Sequence, residues 1–157
     1  MILMEKDKEN YRDYVVYDAK DKVLGRLAST VAKELLNGKK VAVVNAERAF
    51  ITGNKKVIAK RYRVRLNLQE KENPEHSPYW PRRPDMLVRR IIRGMLPYHK
   101  KPSGKAAFKR LRVFVGMPKE LNGFNAIQVK TKEPRSMYVG YIYVGDLSKM
   151  LGYNNVK

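Results

Sequence analysis

The chain has 157 residues and no cysteine. This absence excludes disulfides, zinc sites built on thiolates, and thiol nucleophiles. Its two histidines, His76 and His99, are far apart and have no acidic cluster at ligand spacing, so no metal site is predicted. No apolar run approaches the ~20 residues of a membrane-spanning helix, and the N-terminal segment lacks the apolar core of a signal peptide. We therefore expect a cytoplasmic protein without a membrane partner.

Motifs of catalysis and nucleotide binding are missing too. The first predicted strand-to-helix turn has one glycine, Gly25, where a dinucleotide loop needs G-x-G-x-x-G, and no P-loop motif occurs. There is no G-x-S-x-G elbow. The acids Asp18, Glu47 and Asp85 are scattered rather than paired. The sequence thus predicts no enzymatic activity, no cofactor and no small-molecule substrate.

Acidic residues are scarce relative to basic ones. The chain has 34 Lys and Arg against 15 Asp and Glu, a net charge of +19. Residues 1–37 hold seven of each sign, whereas residues 38–132 hold 24 basic and six acidic side chains. Repulsion of this size opposes compaction unless an anionic partner screens it. Nucleic acid is the leading candidate, ahead of an anionic membrane.

The first part of the chain reads as a βαβ unit. Tyr14–Tyr17 and Val41–Val44 are short β-rich runs, and between them apolar residues recur at helical spacing from Leu24 to Leu36, with Gly38 as the C-terminal cap. Strand, helix and strand in this order predict a parallel sheet with a right-handed crossover. With 43% hydrophobic residues, the chain can form the core of one domain.

The remaining elements are shorter. Residues 111–115 read as a third core strand, residues 49–51 and 141–144 as further strands, and residues 117–140 as a loop. Asp146 is a candidate cap of a last helix that runs to Met150. We expect an N-terminal arm over residues 1–13, a core domain over residues 14–116, and an extension over residues 117–157 that packs on the core.

Residues 80–112 are the most basic stretch, with 11 Lys or Arg and one acid, Asp85. Pro84 suits the first turn of a helix, and Pro97 ends it. One face of this helix is apolar, formed by Leu87, Val88, Ile91, Ile92 and Met95. The opposite face holds three arginines that we expect to point outward: Arg89, Arg90 and Arg93.

Two alternatives stay open at this point. From Lys55 to about Tyr62 the pattern is helical, but from Arg61 to Leu68 basic and apolar residues alternate as in a strand. Either geometry places a row of arginines on one side. Trp80 lies beside Arg82 and Arg83, so its ring either stacks on an unpaired base or seals the edge of the core.

The candidate RNA-binding residues share a basic or stackable side chain within residues 55–110. They are Lys55, Lys56, Lys60, Arg61, Arg63, Arg65, Trp80, Arg82, Arg83, Arg89, Arg90, Arg93, His99, Lys100, Lys101, Lys105, Lys109 and Arg110. Arginine forks suit phosphate contacts, and Trp80 and His99 are the candidates for base stacking. We expect Arg82, Arg83, Lys100, Lys101 and Lys105 to lie in loops that become ordered on RNA.

Several short strings resemble one known family. They are D-A-K-D-K-V-L-G-R-L-A at residues 18–28, V-N-A-E at 44–47, T-G-N-K at 52–55, R-G-M-L-P at 93–97 and L-R-V-F-V-G at 111–116. In this order they resemble the landmarks of the universal large-subunit ribosomal protein L13 family. The segment W-P-R-R-P at residues 80–84 is similar to the archaeal branch.

The resemblance implies a fold and a function. The fold is a three-layer α/β/α single domain around a mainly parallel four-stranded sheet, with basic loop extensions. The function is binding of large-subunit ribosomal RNA beside neighbouring ribosomal proteins, in support of subunit assembly and without catalysis. A nucleotide-using α/β enzyme with an unrecognised phosphate loop and a DNA-binding architectural protein remain the alternatives.

Overall fold

The described part of the chain contains five α-helices and six β-strands. The computed structural model describes residues 11–129 and 140–154. Its helices are α1 (Leu24–Leu36), α2 (Lys55–Leu66), α3 (Pro84–Met95), α4 (Pro102–Lys109) and α5 (Val144–Met150). Its strands are β1 (Tyr14–Asp18), β2 (Lys40–Val44), β3 (Phe50–Thr52), β4 (Leu111–Val113), β5 (Ile127–Gln128) and β6 (Tyr141–Tyr143). Most of the predicted N-terminal arm and residues 130–139 of the predicted loop lie outside the described residues. No helix in the described part of the chain is both long and apolar enough to span a bilayer.

Four strands form one sheet in the order β4-β2-β1-β5, and every neighbouring pair is parallel. Val16 lies opposite Ala42, and Val43 lies opposite Val113. The predicted βαβ unit and the α/β single domain around a parallel four-stranded sheet are therefore confirmed. The loop prediction for residues 117–140 missed β5, because a strand of two residues is too short to show a period of two.

The two faces of the sheet are covered differently. Alternate residues of β1 and β2 point to opposite sides, so that Val41 and Val43 face one core and Ala42 and Val44 face another. All five helices contribute buried residues to the first core. Among the described residues, the second core is closed by Leu121, in the one-turn helix Lys119–Leu121, and by aromatic residues from loops. The helical layer thus lies on one side of the sheet, and short loop segments cover the other.

Helix α1 connects the first two strands as predicted. Leu27, Val31 and Leu35 are fully buried on its inner face. Gly38 follows the helix with φ +91°, a conformation that glycine adopts without strain. Leu36 was predicted on the inner face but is 48% exposed, because it lies about 100° around the helix from the fully buried Leu35.

The strands β3 and β6 form a separate antiparallel pair, with Phe50 opposite Tyr143. Strands predicted near residues 50 and 142 are thereby confirmed. The prediction that Asp146 caps the last helix is wrong, because α5 begins directly after β6 at Val144. The N-cap position therefore falls on Tyr143. The Val144 N–H donates a hydrogen bond to the Ala49 carbonyl at 2.9 Å.

Helix α4 packs closely on the chain that leaves α3. A Cβ atom on Gly104 would lie 2.4 Å from the carbonyl carbon and oxygen of Pro97 and 2.8 Å from the Tyr98 nitrogen. Backbone atoms cannot move aside as the end of a flexible side chain can. Gly104 therefore sets the distance between α4 and the 96–99 segment.

We predict that Gly104→Ala destabilises the protein. Alanine favours a helix over glycine by about 1 kcal/mol, but overpacking against backbone costs about 1–3 kcal/mol or more. Gly25→Ala is the matched control, because Gly25 also lies in the first turn of a helix and its added Cβ would meet nothing within 4 Å. Thermal unfolding should show a lower Tm for Gly104→Ala and an equal or higher Tm for Gly25→Ala. A Gly104→Ala protein as stable as the wild type would contradict the close contact.

We also predict a stability loss at high pH that depends on Tyr143. Burial, followed by the hydrogen bond from its hydroxyl to Asp21 at 3.0 Å, raises the pKa of Tyr143 from 10.0 to about 12. Between pH 10 and 12 the unfolded chain loses this proton and the native protein keeps it, so stability falls as pH rises through this window. Urea unfolding at pH 9 and pH 11.5 should show a smaller decrease for Tyr143→Phe than for the wild type. Equal decreases would show that Tyr143 does not contribute.

Candidate nucleic-acid interface

Helix α2 is basic on its exposed sides and contains no acid. It runs from Lys55 to Leu66, and its N-cap is Asn54, whose side chain accepts a hydrogen bond from the Lys56 N–H at 3.0 Å. This settles the earlier alternative: the alternating residues from Arg61 are helical, because Tyr62 and Leu66 pack against the core one turn apart. Five predicted residues of α2 are exposed: Lys55, Lys56, Lys60, Arg61 and Arg63.

The three arginines of α3 were predicted to point outward into solvent, but the structure covers them in part. Each is half-buried and lies over an aromatic ring. The guanidinium carbon is 4.8 Å from the Phe108 ring centre for Arg89, 3.8 Å from the Trp80 ring centre for Arg90, and 5.3 Å from the Tyr98 ring centre for Arg93. Arginine stacks well on such rings because its guanidinium group is planar and weakly hydrated.

The predicted apolar face of α3 needs one correction at its end. Leu87, Val88 and Ile92 are buried as expected, but Met95 is 42% exposed. The helix stops at Met95, and Leu96 turns inward instead, with 6% exposure. Leu96 has extended dihedral angles, as expected for a residue before proline.

The Trp80 ring lies against two guanidinium groups. Arg65 of α2 lies 4.9 Å from its ring centre and Arg90 of α3 lies 3.8 Å from it. Arg90 also donates a hydrogen bond to the Tyr79 carbonyl at 2.9 Å. Trp80 is half-buried and is not part of either core cluster. Its ring is therefore the support that aligns arginines from two helices, a role that neither of the two sequence interpretations included.

The charges around these arginines are mainly positive, although the Asp85 carboxylate acts in the opposite direction and raises the pKa of Arg89. Burial lowers the pKa of Arg89 and of Arg90, and neighbouring cations lower them further: Arg112 beside Arg89, and Arg93 and Arg65 beside Arg90. Arg89 and Arg90 nevertheless remain protonated at neutral pH, because the ordinary pKa of a guanidinium group is far above 7. In the described part of the chain, no salt bridge reaches Arg65 or the three arginines of α3. The site thus holds concentrated, partly desolvated positive charge, and no acid of the described residues forms an ion pair with it.

A cleft of about 430 Å³ lies between α2, α3 and the segment that follows α3. Five predicted residues line it together: Arg65, Trp80, Arg90, Arg93 and His99. His99 is exposed, and its ring meets the Tyr98 ring edge-on at 5.1 Å. We call this space the arginine cleft. Positive charge and planar groups in one concave site suit the phosphate and base of a nucleotide.

Other predicted residues have different surroundings. Arg83 is exposed and pairs with Asp85, with 2.9 Å between the guanidinium nitrogen and the carboxylate oxygen. Arg110 donates to the Leu35 carbonyl at 2.8 Å, so its guanidinium group closes the last turn of α1. The remaining predicted lysines and one arginine are exposed: Arg82, Lys100, Lys101, Lys105 and Lys109. Lys105 was expected in a loop, but it lies in α4.

One basic residue of this region was missed. Arg112 lies in β4, is half-buried, and donates to the Lys109 carbonyl at 3.2 Å. It is close enough to Arg89 to lower the pKa of that arginine. The signal was an arginine inside a predicted core strand, where an apolar residue is usual.

The carboxyl edge of the sheet is where nucleotide-binding α/β proteins hold their ligands. Here Asp18 accepts hydrogen bonds from the Asn45 side chain at 2.8 Å and the Lys20 N–H at 2.9 Å. A nearby pocket of about 340 Å³ is lined by both signs of charge, including Asp21, Glu47, Arg48, Asp146 and Lys149. No group of metal-ligating residues occurs within residues 11–129 and 140–154.

Two comparisons with known proteins point to one family. The family model described as "Ribosomal protein L13" matches residues 12–120. The relative from Methanocaldococcus jannaschii, called large ribosomal subunit protein uL13, is 47% identical over 138 residues, which are 87% of this chain and 96% of the relative. The relative of that name from Archaeoglobus fulgidus is 42% identical over 146 residues, 92% of this chain and 91% of the relative. The resemblance in the sequence is confirmed: the chain belongs to the ribosomal protein L13 family.

Proposed function

We propose that this chain is a structural constituent of the large ribosomal subunit that binds the subunit's ribosomal RNA and supports its assembly. The proposal includes a cytoplasmic location, no enzymatic activity, and contacts with neighbouring large-subunit proteins. Family membership supports this assignment, as do relatives named for the large subunit. The observation that carries it is the set of half-buried arginines on α2 and α3 that have aromatic supports and, within the described residues, no salt bridge.

The proposed mechanism divides the basic residues into two groups. The exposed residues of α2 and the lysines around α4 are mobile point contacts that attract phosphates from a distance. The arginines of the cleft are held in place by their rings before RNA arrives, so less conformational entropy is lost on binding. Arg83 and Arg110 contribute less in this scheme, because Asp85 and the Leu35 carbonyl already engage their guanidinium groups.

The basic residues of both groups lie within one continuous range of the chain. We propose that residues 14–116 form the RNA-binding core, since this range contains α2, α3, α4 and the whole arginine cleft. Residues 117–157 are proposed as an extension that supports the core. Ser148 of α5 is fully buried and donates a hydrogen bond to the Arg82 carbonyl, which links this extension to the segment before α3.

We predict that charge reversal on α2 weakens RNA binding more than an equal change on α1. Lys56→Glu combined with Lys60→Glu changes two exposed residues of α2, and Arg26→Glu combined with Lys33→Glu changes two exposed residues of α1. The two double variants have the same net charge. Affinity for a large-subunit ribosomal RNA transcript should fall about tenfold or more for the α2 variant, and its slope of log affinity against log salt should decrease by about 2.

Circular dichroism controls for folding, and both variants should keep the wild-type spectrum because all four side chains are exposed. The α1 variant should lose less than about threefold in affinity, because Arg26 and Lys33 lie outside the proposed RNA-binding surface. Equal losses in both variants would show that net charge alone determines binding. Unchanged affinity in the α2 variant would remove α2 from the interface.

A further inference from the structure

A glycine without a packing reason lies in the arginine cleft. Gly94 is in the last turn of α3, where glycine costs about 1 kcal/mol of helix stability relative to alanine. A Cβ atom at this position would meet nothing within 4 Å, in contrast to Gly104, whose Cβ would collide with backbone. Gly94 has no positive φ that would require glycine either. What its missing side chain provides is open space above the helix backbone, inside the cleft.

The walls around this space offer two kinds of contact. The guanidinium groups of Arg65, Arg90 and Arg93 supply positive charge, and Arg90 stacked on Trp80 presents a planar group. The volume of about 430 Å³ falls in the range of about 300–1,000 Å³ that is typical of small-molecule sites. A base can stack on an arginine plane while its phosphate binds a second arginine.

We propose that the arginine cleft receives one unpaired nucleotide of the bound RNA. Its base lies above Gly94 against the Arg90–Trp80 stack, and its phosphate binds Arg93 or Arg65. The nucleotide is unpaired, because a base within a duplex cannot leave the stack to enter a cleft without being flipped out. This inference rests on the proposed RNA-binding function and specifies what part of the RNA one site recognises.

Trp80 makes the inference directly measurable, because it is the single tryptophan of the chain. The probes are an RNA of seven adenosine nucleotides and an oligomer of the same length and charge made of abasic ribose phosphates. For the wild type, the RNA should change Trp80 fluorescence and bind about tenfold tighter than the abasic oligomer, since stacking of one base contributes about 1–3 kcal/mol. The abasic oligomer should bind through charge alone.

Gly94→Leu fills the space and should lower affinity for the adenosine RNA about tenfold, to the level of the abasic oligomer, so that the preference for bases is lost. Gly25→Leu is the matched control, because a Cβ at Gly25 also meets nothing within 4 Å and α1 does not line the cleft. Gly94→Ala adds only a methyl group into open space, so it should fold and shift the preference in the same direction. Thermal unfolding should show that no variant is less stable than the wild type by more than a few degrees.

The outcomes separate this inference from the function on which it rests. If the wild type binds large-subunit ribosomal RNA with a steep salt dependence but does not prefer bases over abasic phosphates, the nucleotide site is wrong and the proposed function stands. The same holds if Gly94→Leu keeps the full preference. If the wild type fails to bind the ribosomal RNA at low salt, the proposed function itself is wrong.

Discussion

The packing of arginine on aromatic rings, without a salt bridge among the described residues, is the interaction on which the functional surface depends. Trp80, Tyr98 and Phe108 hold the guanidinium groups of α3 in fixed positions, and Trp80 also holds Arg65 of α2. An internal salt bridge would fix an arginine equally well but would neutralise it. The rings fix the charge and leave it available for an anion. The same contacts bring α2 and α3 together at one cleft.

Two glycines at helix positions show how the fold and the site make opposite demands. Gly104 is needed because α4 must approach the backbone of Pro97 and Tyr98, and this contact positions the Tyr98 ring under Arg93. Gly94 makes no contact that requires it and leaves the cleft open. Packing explains the first residue and space for a ligand explains the second. A rule based on helix propensity alone would treat both as defects.

The sequence predicted the local elements well, since each has a strong local signal. Helix α1 follows from the spacing of its leucines, and α3 follows from Pro84, Pro97 and the apolar residues between them. The short strand β5 and the pairing of β3 with β6 depend on partners far along the chain, which no local period encodes. The helical periodicity correctly placed the three arginines of α3 opposite the apolar face. It could not show that aromatic rings from outside the helix cover them. The hydrogen bond from Arg110 to the Leu35 carbonyl could not be predicted for the same reason, because the two residues lie 75 positions apart.

The most direct test of the central claim replaces Arg90 with lysine, because this change keeps the charge and removes the planar group stacked on Trp80. Affinity for large-subunit ribosomal RNA is measured at one salt concentration for the wild type and Arg90→Lys. If a ring-supported guanidinium group is what binds RNA, affinity falls by about tenfold at unchanged net charge, as expected for the loss of about 1.4 kcal/mol. Equal affinity of the two proteins would show that charge alone is sufficient and would contradict the account.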